Sequence, residues 1–467
     1  MVAMKKGSNH HFRSPFDSSP YTVVDPVVKS SFSARTNSLI LGCSKPQASS
    51  SDLAYIGKVF ESSPSTNMLG ADVWLDLSFP HVIYITGTRG SGKSFDLGVL
   101  VEGISELTAK SPVQRDVSPI ASILIDTQNQ FWTLKYPPNP DIPENMEQID
   151  ALDRWGLEPN ALSNVSLWVP YGTEKLLGDE TYFSIRPRDV ELDDWCLLLG
   201  LEVYGPQGHI IRSALTRLAG SDFDIAELIE DIRQDSNWSG IADSSRNALI
   251  YKLQDYSDSK LFSKSGLAFE EIVSPGRCNV FMLRELRDVD KSLVTAIIAR
   301  LVFRRMGEYH TRRKLARFRG HPLPSVTLPS RVWLLIDEAH VVAGQGTPSP
   351  ARAALIEYVK RGRDAGLSLV LATQQPSAVD DKILSQVNLT LSHRLTFQSD
   401  VAAAISRIPT KSIAQMRSGG ASVGDFGDML RYLDAGDCFV GDHATSRAIL
   451  VKVRSRVTAH GGYSPGR

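Results

Sequence analysis

An α/β fold with a mostly parallel sheet is predicted by three features of the sequence: short, continuously apolar runs, helical patterns between them, and a glycine-rich turn joining one run to one helix. The runs are HVIYITG (81–87), ASILIDT (121–127), CNVFML (278–283), RVWLLIDEA (331–339), LSLVLATQ (367–374) and LTLSHRLTF (389–397). Most lack the alternation of a half-exposed strand, so they suit strands covered on both faces. Between them, KSLVTAIIARLVFRRM sets Val294, Ile297, Ile298 and Leu301 on one helical face.

Along the chain, residues 1–50 are rich in Ser, Pro, Asn and Lys, as in SPFDSSPYTVVDP and SKPQASSSD. Such a stretch buries little apolar area and is expected to be a poorly ordered arm. Residues 51–80 carry short β-prone pieces between turn residues, enough for about three strands of a small β-element. The α/β core follows in two pieces, 81–139 and 276–461, interrupted by a long and mostly helical insertion at 140–275. Residues 462–467 are a short tail.

The 467 residues, 42% apolar and 22% charged, have the composition of a soluble globular protein. A formal net charge of −1 exerts no overall pull on nucleic acid or anionic membranes, so any such contact must come from a local patch. Cys43, Cys196, Cys278 and Cys438 are widely separated, which excludes a zinc motif or a disulfide framework and leaves reduced core thiols. No apolar run reaches the length of a membrane span and no secretory h-region is present. A cytoplasmic location without a membrane partner is the expectation.

The glycine-rich turn is GTRGSGKS, and it fits G-x-x-x-x-G-K-[ST] with Gly87, Thr88, Arg89, Gly90, Ser91, Gly92, Lys93 and Ser94. Small residues let successive backbone N–H groups point at phosphate oxygens, and the helix start adds partial positive charge. In such a loop Lys93 reaches the β- and γ-phosphates and the Ser94 hydroxyl ligates Mg²⁺. An acidic partner is expected on a neighbouring strand, and LLIDEAH supplies it. Asp337 would hold Mg²⁺ through its water shell, and Glu338 would orient and deprotonate the attacking water. Together these residues imply hydrolysis of a nucleoside triphosphate, with ATP and Mg²⁺ as the expected ligands.

Other phosphate-loop architectures fit less well. DEAH suggests a two-lobed helicase, yet the next strand ends in ATQ and too little chain follows for a second lobe. RSGGAS (417–422) resembles part of a transporter signature but falls after the Asp337 strand instead of before it, and reads as a loop.

The ordered set of motifs resembles the HerA-like branch of the HerA/FtsK ATPases. The matching pieces are AYIGKVFESS, GTRGSGKS, ILIDTQNQF, LLIDEAH, VKRGRDAGLSLVLATQQPS, ILSQVNLTLSHRL with Asp400 shortly after, and LDAGDCFVGD followed by VRSRVTAHGG. They extend over roughly residues 54–461. The resemblance implies a RecA-like P-loop NTPase core, with residues 51–80 a truncated barrel, assembled as a homo-oligomeric and typically hexameric ring. It also implies an ATPase that translocates on double-stranded DNA for a partner nuclease, or for an antiviral complex built on an NADase-type effector. Carried over by position, Gln374 becomes the polar sensor of the γ-phosphate, and Arg363 an arginine that reaches nucleotide in cis or across a subunit interface. Two other readings stay open: an ATP-controlled assembly scaffold that moves nothing, and a DNA-transfer ATPase of conjugation or secretion.

The chain departs from the family pattern in three places: TQNQF after Asp126, Gln375 after Gln374, and Asp364 at a commonly basic position. Its most basic window holds Arg300, Arg304, Arg305, Arg312, Arg313, Lys314, Arg317 and Arg319 against Glu308 alone. That window suits either phosphate contact along a ring pore or a solvated helix end.

Overall fold

The computed structural model describes residues 38–43, 52–60, 69–234, 240–320, 322, 328–409 and 423–462. Its strands are β1 (Ser38–Leu41), β2 (Leu53–Phe60), β3 (Leu69–Asp76), β4 (Val82–Thr86), β5 (Gln114–Arg115), β6 (Ala121–Asp126) and β7 (Val165–Pro170). They continue with β8 (Thr181–Phe183), β9 (Cys278–Met282), β10 (Val332–Ile336), β11 (Leu367–Thr373), β12 (Leu389–Ser392), β13 (Asp437–Asp442) and β14 (Arg447–Val453). All join one 14-stranded sheet in the order β1-β3-β2-β14-β13-β12-β4-β11-β10-β6-β9-β7-β8, with β5 on β2.

Each of the six apolar runs forms a strand, and from β12 to β8 every pairing is parallel. The reason for their unbroken apolarity is visible in β10. Val332, Leu334 and Ile336 enter one core while Trp333 and Leu335 enter the other. A strand with two buried faces favours apolar side chains at successive positions, and the few polar ones must find partners, as Asn279 of β9 does. One face is covered by the helices Leu192–Leu199, Pro206–Arg217, Ile225–Arg233, Asp243–Ser259, Asp288–Arg319 and Pro350–Arg361. The other is covered by the helix Lys93–Ile104 through Leu97, Leu100, Val101 and Ile104.

Three expectations are corrected. Ser38–Leu41, placed in the poorly ordered arm, is a buried strand parallel to β3; residues 1–37 and 44–50 lie outside the described residues. The segment 51–80 contributes two strands, β2 and β3, and β14 pairs with β2, so it continues the main sheet as part of the same layer. Within 140–275 the helices are present, but β7 and β8 extend the central sheet. There Trp168 lies parallel to Phe281 at 5.8 Å and donates to Asn279 Oδ1 at 2.8 Å, tying the supposed insertion to β9.

RSGGAS (417–422) lies outside the described residues, as does the tail from 463. No described helix is long and apolar enough to cross a membrane. All four cysteines are buried, as expected of core thiols.

Candidate functional site

The phosphate-loop sequence joins β4 to the helix Lys93–Ile104, so it lies at the carboxyl ends of the parallel strands. Gly92 caps this helix at φ 127°, in the left-handed region that favours glycine. Gly87 is pressed close: a Cβ there would sit 2.4 Å from Ser91 Oγ. Thr88 O accepts from both Ser91 Oγ at 2.8 Å and Lys93 Nζ at 2.9 Å, so the lysine folds back over the loop. Arg89 and Gly90 are exposed, Ser91 is buried, and Ser94 is half-buried in the first helical turn.

Asp337 and Glu338 follow β10 directly. β10 is not the neighbour of β4, as the sequence reading had placed it, because β11 lies between them. The consequence is useful: Gln374 follows β11 and therefore stands between the phosphate loop and the carboxylates. Its Nε2 donates to Glu338 Oε1. His340 Nδ1 is 3.4 Å from Glu338 Oε2 and pairs with Thr373 Oγ1 at 3.0 Å. Glu338 itself occupies the left-handed region, at φ 50°, a strained conformation for a residue other than glycine.

Electrostatically the site is tense. Asp337 is 1% exposed, and burial, with Glu338 and Asp126 adding repulsion, pushes its carboxyl up to about 8. Asp126, at the end of β6, accepts from the Gln128 and Phe131 amides at 3.1 and 2.8 Å, yet burial still pushes it up to about 6. Burial lowers Lys93 below the usual lysine range against the pull of Glu338, Asp337 and Asp96. Asp337 Oδ1 and Glu338 Oε2 are buried without any hydrogen-bond partner. Orphaned carboxylate oxygens beside a lysine and a half-buried serine fit a hard divalent cation and a polyphosphate, which would satisfy them.

Arg363 is not part of this cluster. It is exposed on the turn Gly362–Ala365 that precedes β11, whereas Gln374 follows that strand. Seven strand residues separate the two ends by roughly 20 Å. The cis alternative therefore fails within one chain, and the neighbouring Arg361 pairs with Glu357 at 2.8 Å. The site also contains Asp126, His340 and Thr373, to which the sequence reading gave no role. The signal was available for Asp126, since ILID repeats the pattern of LLID.

The basic window is the outer part of the single helix Asp288–Arg319. Arg300 is paired with Asp194 and Glu191, and Arg305 with Glu270. Arg304, Arg312, Arg313, Lys314, Arg317 and Arg319 make no ion pair among the described residues.

Residues 55–302 match the family described as Helicase HerA, central domain. A DNA double-strand break repair helicase HerA of Sulfolobus acidocaldarius is 20% identical over 209 residues, 45% of this chain and 38% of that protein. The same-named protein of Pyrococcus furiosus is 26% identical over 146 residues, 27% of this chain and 26% of that one. The matched segments thus span well under half the length of these relatives. Among solved structures, VirB4 of Thermoanaerobacter pseudethanolicus superposes with a TM-score of 0.50 at 16% identity, over 88% of this chain and 97% of that chain, and so shares its fold. A central-domain match covering more than half of the residues, on a parallel sheet that carries the phosphate loop and the carboxylate pair, places the chain in the HerA family of P-loop ATPases.

Proposed function

We propose that this chain is the ATP-hydrolysing subunit of a ring motor that translocates on double-stranded DNA. The observation that carries the chemistry is the pair of buried oxygens without a hydrogen bond, Asp337 Oδ1 and Glu338 Oε2, on carboxylates that interact with Lys93 of the phosphate loop. Ser94 and Asp337 would hold Mg²⁺, which when bound neutralises phosphate charge. Lys93, released from Thr88 O, binds the β- and γ-phosphates, and the loop amides orient the chain of phosphates. Glu338 takes the proton of the attacking water. Gln374, hydrogen-bonded to Glu338, sits where it senses the γ-phosphate and hands the carboxylate to the water.

Two features favour a motor over a static scaffold. Arg363 is exposed and far from its own chain's site, so it serves catalysis only in trans, across a closed head-to-tail ring such as a hexamer. The outer helix also carries six cations free of ion pairs among the described residues, which suits phosphate contact. A nuclease or antiviral effector is the partner class such a motor would serve. The test is DNA-stimulated ATP hydrolysis. Stimulation should fade as salt rises from about 50 to 200 mM, and joint neutralisation of Arg312, Arg313 and Lys314 should weaken DNA binding evenly across sequences. Turnover indifferent to DNA at every salt, in a confirmed ring, would favour the assembly scaffold.

A further inference from the structure

We propose that His393 is a positioning residue for the phosphate loop, setting its nucleotide affinity from beneath. This rests on the reading of the loop as a nucleotide site. His393 follows β12 and is fully buried, at 0% exposure. Its backbone N–H donates to Thr86 O, the last residue of β4, at 2.8 Å. The side chain lies against both glycines that bracket the loop: a Cβ on Gly87 would come within 2.7 Å of His393 Cβ, and one on Gly92 within 3.1 Å of the ring at Cε1. One side chain thus supports the loop at its start and at its end.

The ring is itself held at two points. Nδ1 is 2.9 Å from the Asp437 carbonyl at the head of β13, and Nε2 is 2.7 Å from Asp96 Oδ2 in the first turn of the helix Lys93–Ile104. A carbonyl only accepts, so Nδ1 is the donor there, and Nε2 forms the second hydrogen bond of the ring with the Asp96 carboxylate. The other titratable groups around the pair are Lys93, which interacts with Asp96, the Asp437 carboxylate, which interacts with His393 and is paired with Lys452 at 2.8 Å, and Cys438, within 4.8 Å. The exposed Arg89 and Gly90 at the loop tip gain no such support. A loop that must present its amides to phosphate binds tightly only when it is already ordered, because ordering on binding subtracts from affinity. The His393 clamp supplies that order without touching Glu338 or Gln374.

The experiment measures MgADP affinity, MgATP turnover and metal content on the full chain. His393→Gln should weaken MgADP about tenfold or more while leaving kcat at saturating ATP within about threefold. Asp96→Asn keeps a donor for Nε2 and should stay within about threefold of wild type, whereas Asp96→Ala should lose affinity as His393→Gln does. If His393→Gln does not fold, the Asp96 pair carries the same comparison. Wild-type affinity in His393→Gln, or equal losses in Asp96→Asn and Asp96→Ala, would overturn the proposal. So would stoichiometric zinc that disappears in Cys438→Ala, since the three side chains would then be ligands. A wild-type chain that binds no MgADP would sink the nucleotide reading itself, with a signature distinct from all of these.

Discussion

The helix Lys93–Ile104 has buried charge at both ends, and the two clusters are built in opposite ways. At its start, Lys93 faces Asp337 and Glu338, each of which keeps an oxygen without a partner. Toward its end, Glu102 is fully buried and both of its oxygens are paired, with Arg454 Nη1 at 2.6 Å, Thr458 N at 2.9 Å and Thr458 Oγ1 at 2.7 Å. Arg454 also donates to Tyr55 O, Val99 O and Ser455 O, so this cluster locks the segment after β14 against β2 and the helix. Burial costs both clusters solvation. At the second, both carboxylate oxygens recover it from the protein; at the first, one oxygen of each carboxylate does not accept a hydrogen bond. On the proposed reading the first recovers the rest from a bound nucleotide and cation, and that is how a site differs from a staple.

The contrast breaks most sharply at the first cluster. Lys93→Ala should abolish nucleotide binding and turnover, read by MgATP binding and phosphate release, because the lysine holds phosphates in the ground state. Glu338→Gln should bind MgATP and turn it over about 10²–10⁴-fold more slowly, since only the proton acceptor is lost. Rates near wild type would remove Glu338 from its role.

At the second cluster the effect should fall on stability. Glu102→Ala leaves Arg454 and Arg456 buried without their counter-charge and should cost about 3–5 kcal/mol in denaturant unfolding. Retained stability there would erase the distinction between the clusters.

The last effect expected is in the pH dependence of the nucleotide-free protein. The folded-state value of Asp337, about 8, lies above the ordinary 3.8, so its contribution to stability is fully present below about 4 and is lost as the pH rises through about 8. Thermal unfolding should therefore drop by a few degrees from this group across that window. Asp337→Asn should flatten the drop, and MgATP should reverse it in wild type.

Legibility followed sequence locality. β4, β6, β9, β10, β11 and β12 were readable because strands buried on both faces are mostly apolar at successive positions, as Trp333 and its neighbours show. β7 was missed as sheet because it lies amid helices, although VSLWVP is itself an apolar run. β13 and β14 are antiparallel and carry Asp437, Asp442 and Lys452, which blur the pattern. Within the site, Gly87 to Ser94 and Asp337–Glu338 were legible because their chemistry depends on contiguous residues.

The sequence by itself determined a phosphate loop on a parallel α/β sheet and the carboxylate pair that answers it, because each is encoded within about ten residues. Only the tertiary structure decided that β11 lies between β4 and β10 and so presents Gln374 to Glu338, and that Arg363 falls at the opposite end of that strand. It also decided that His393 meets Asp96 across 297 positions of sequence and Arg454 meets Glu102 across 352. Strand order and long-range pairing come from how two apolar faces are packed at once, and no local spacing records that choice.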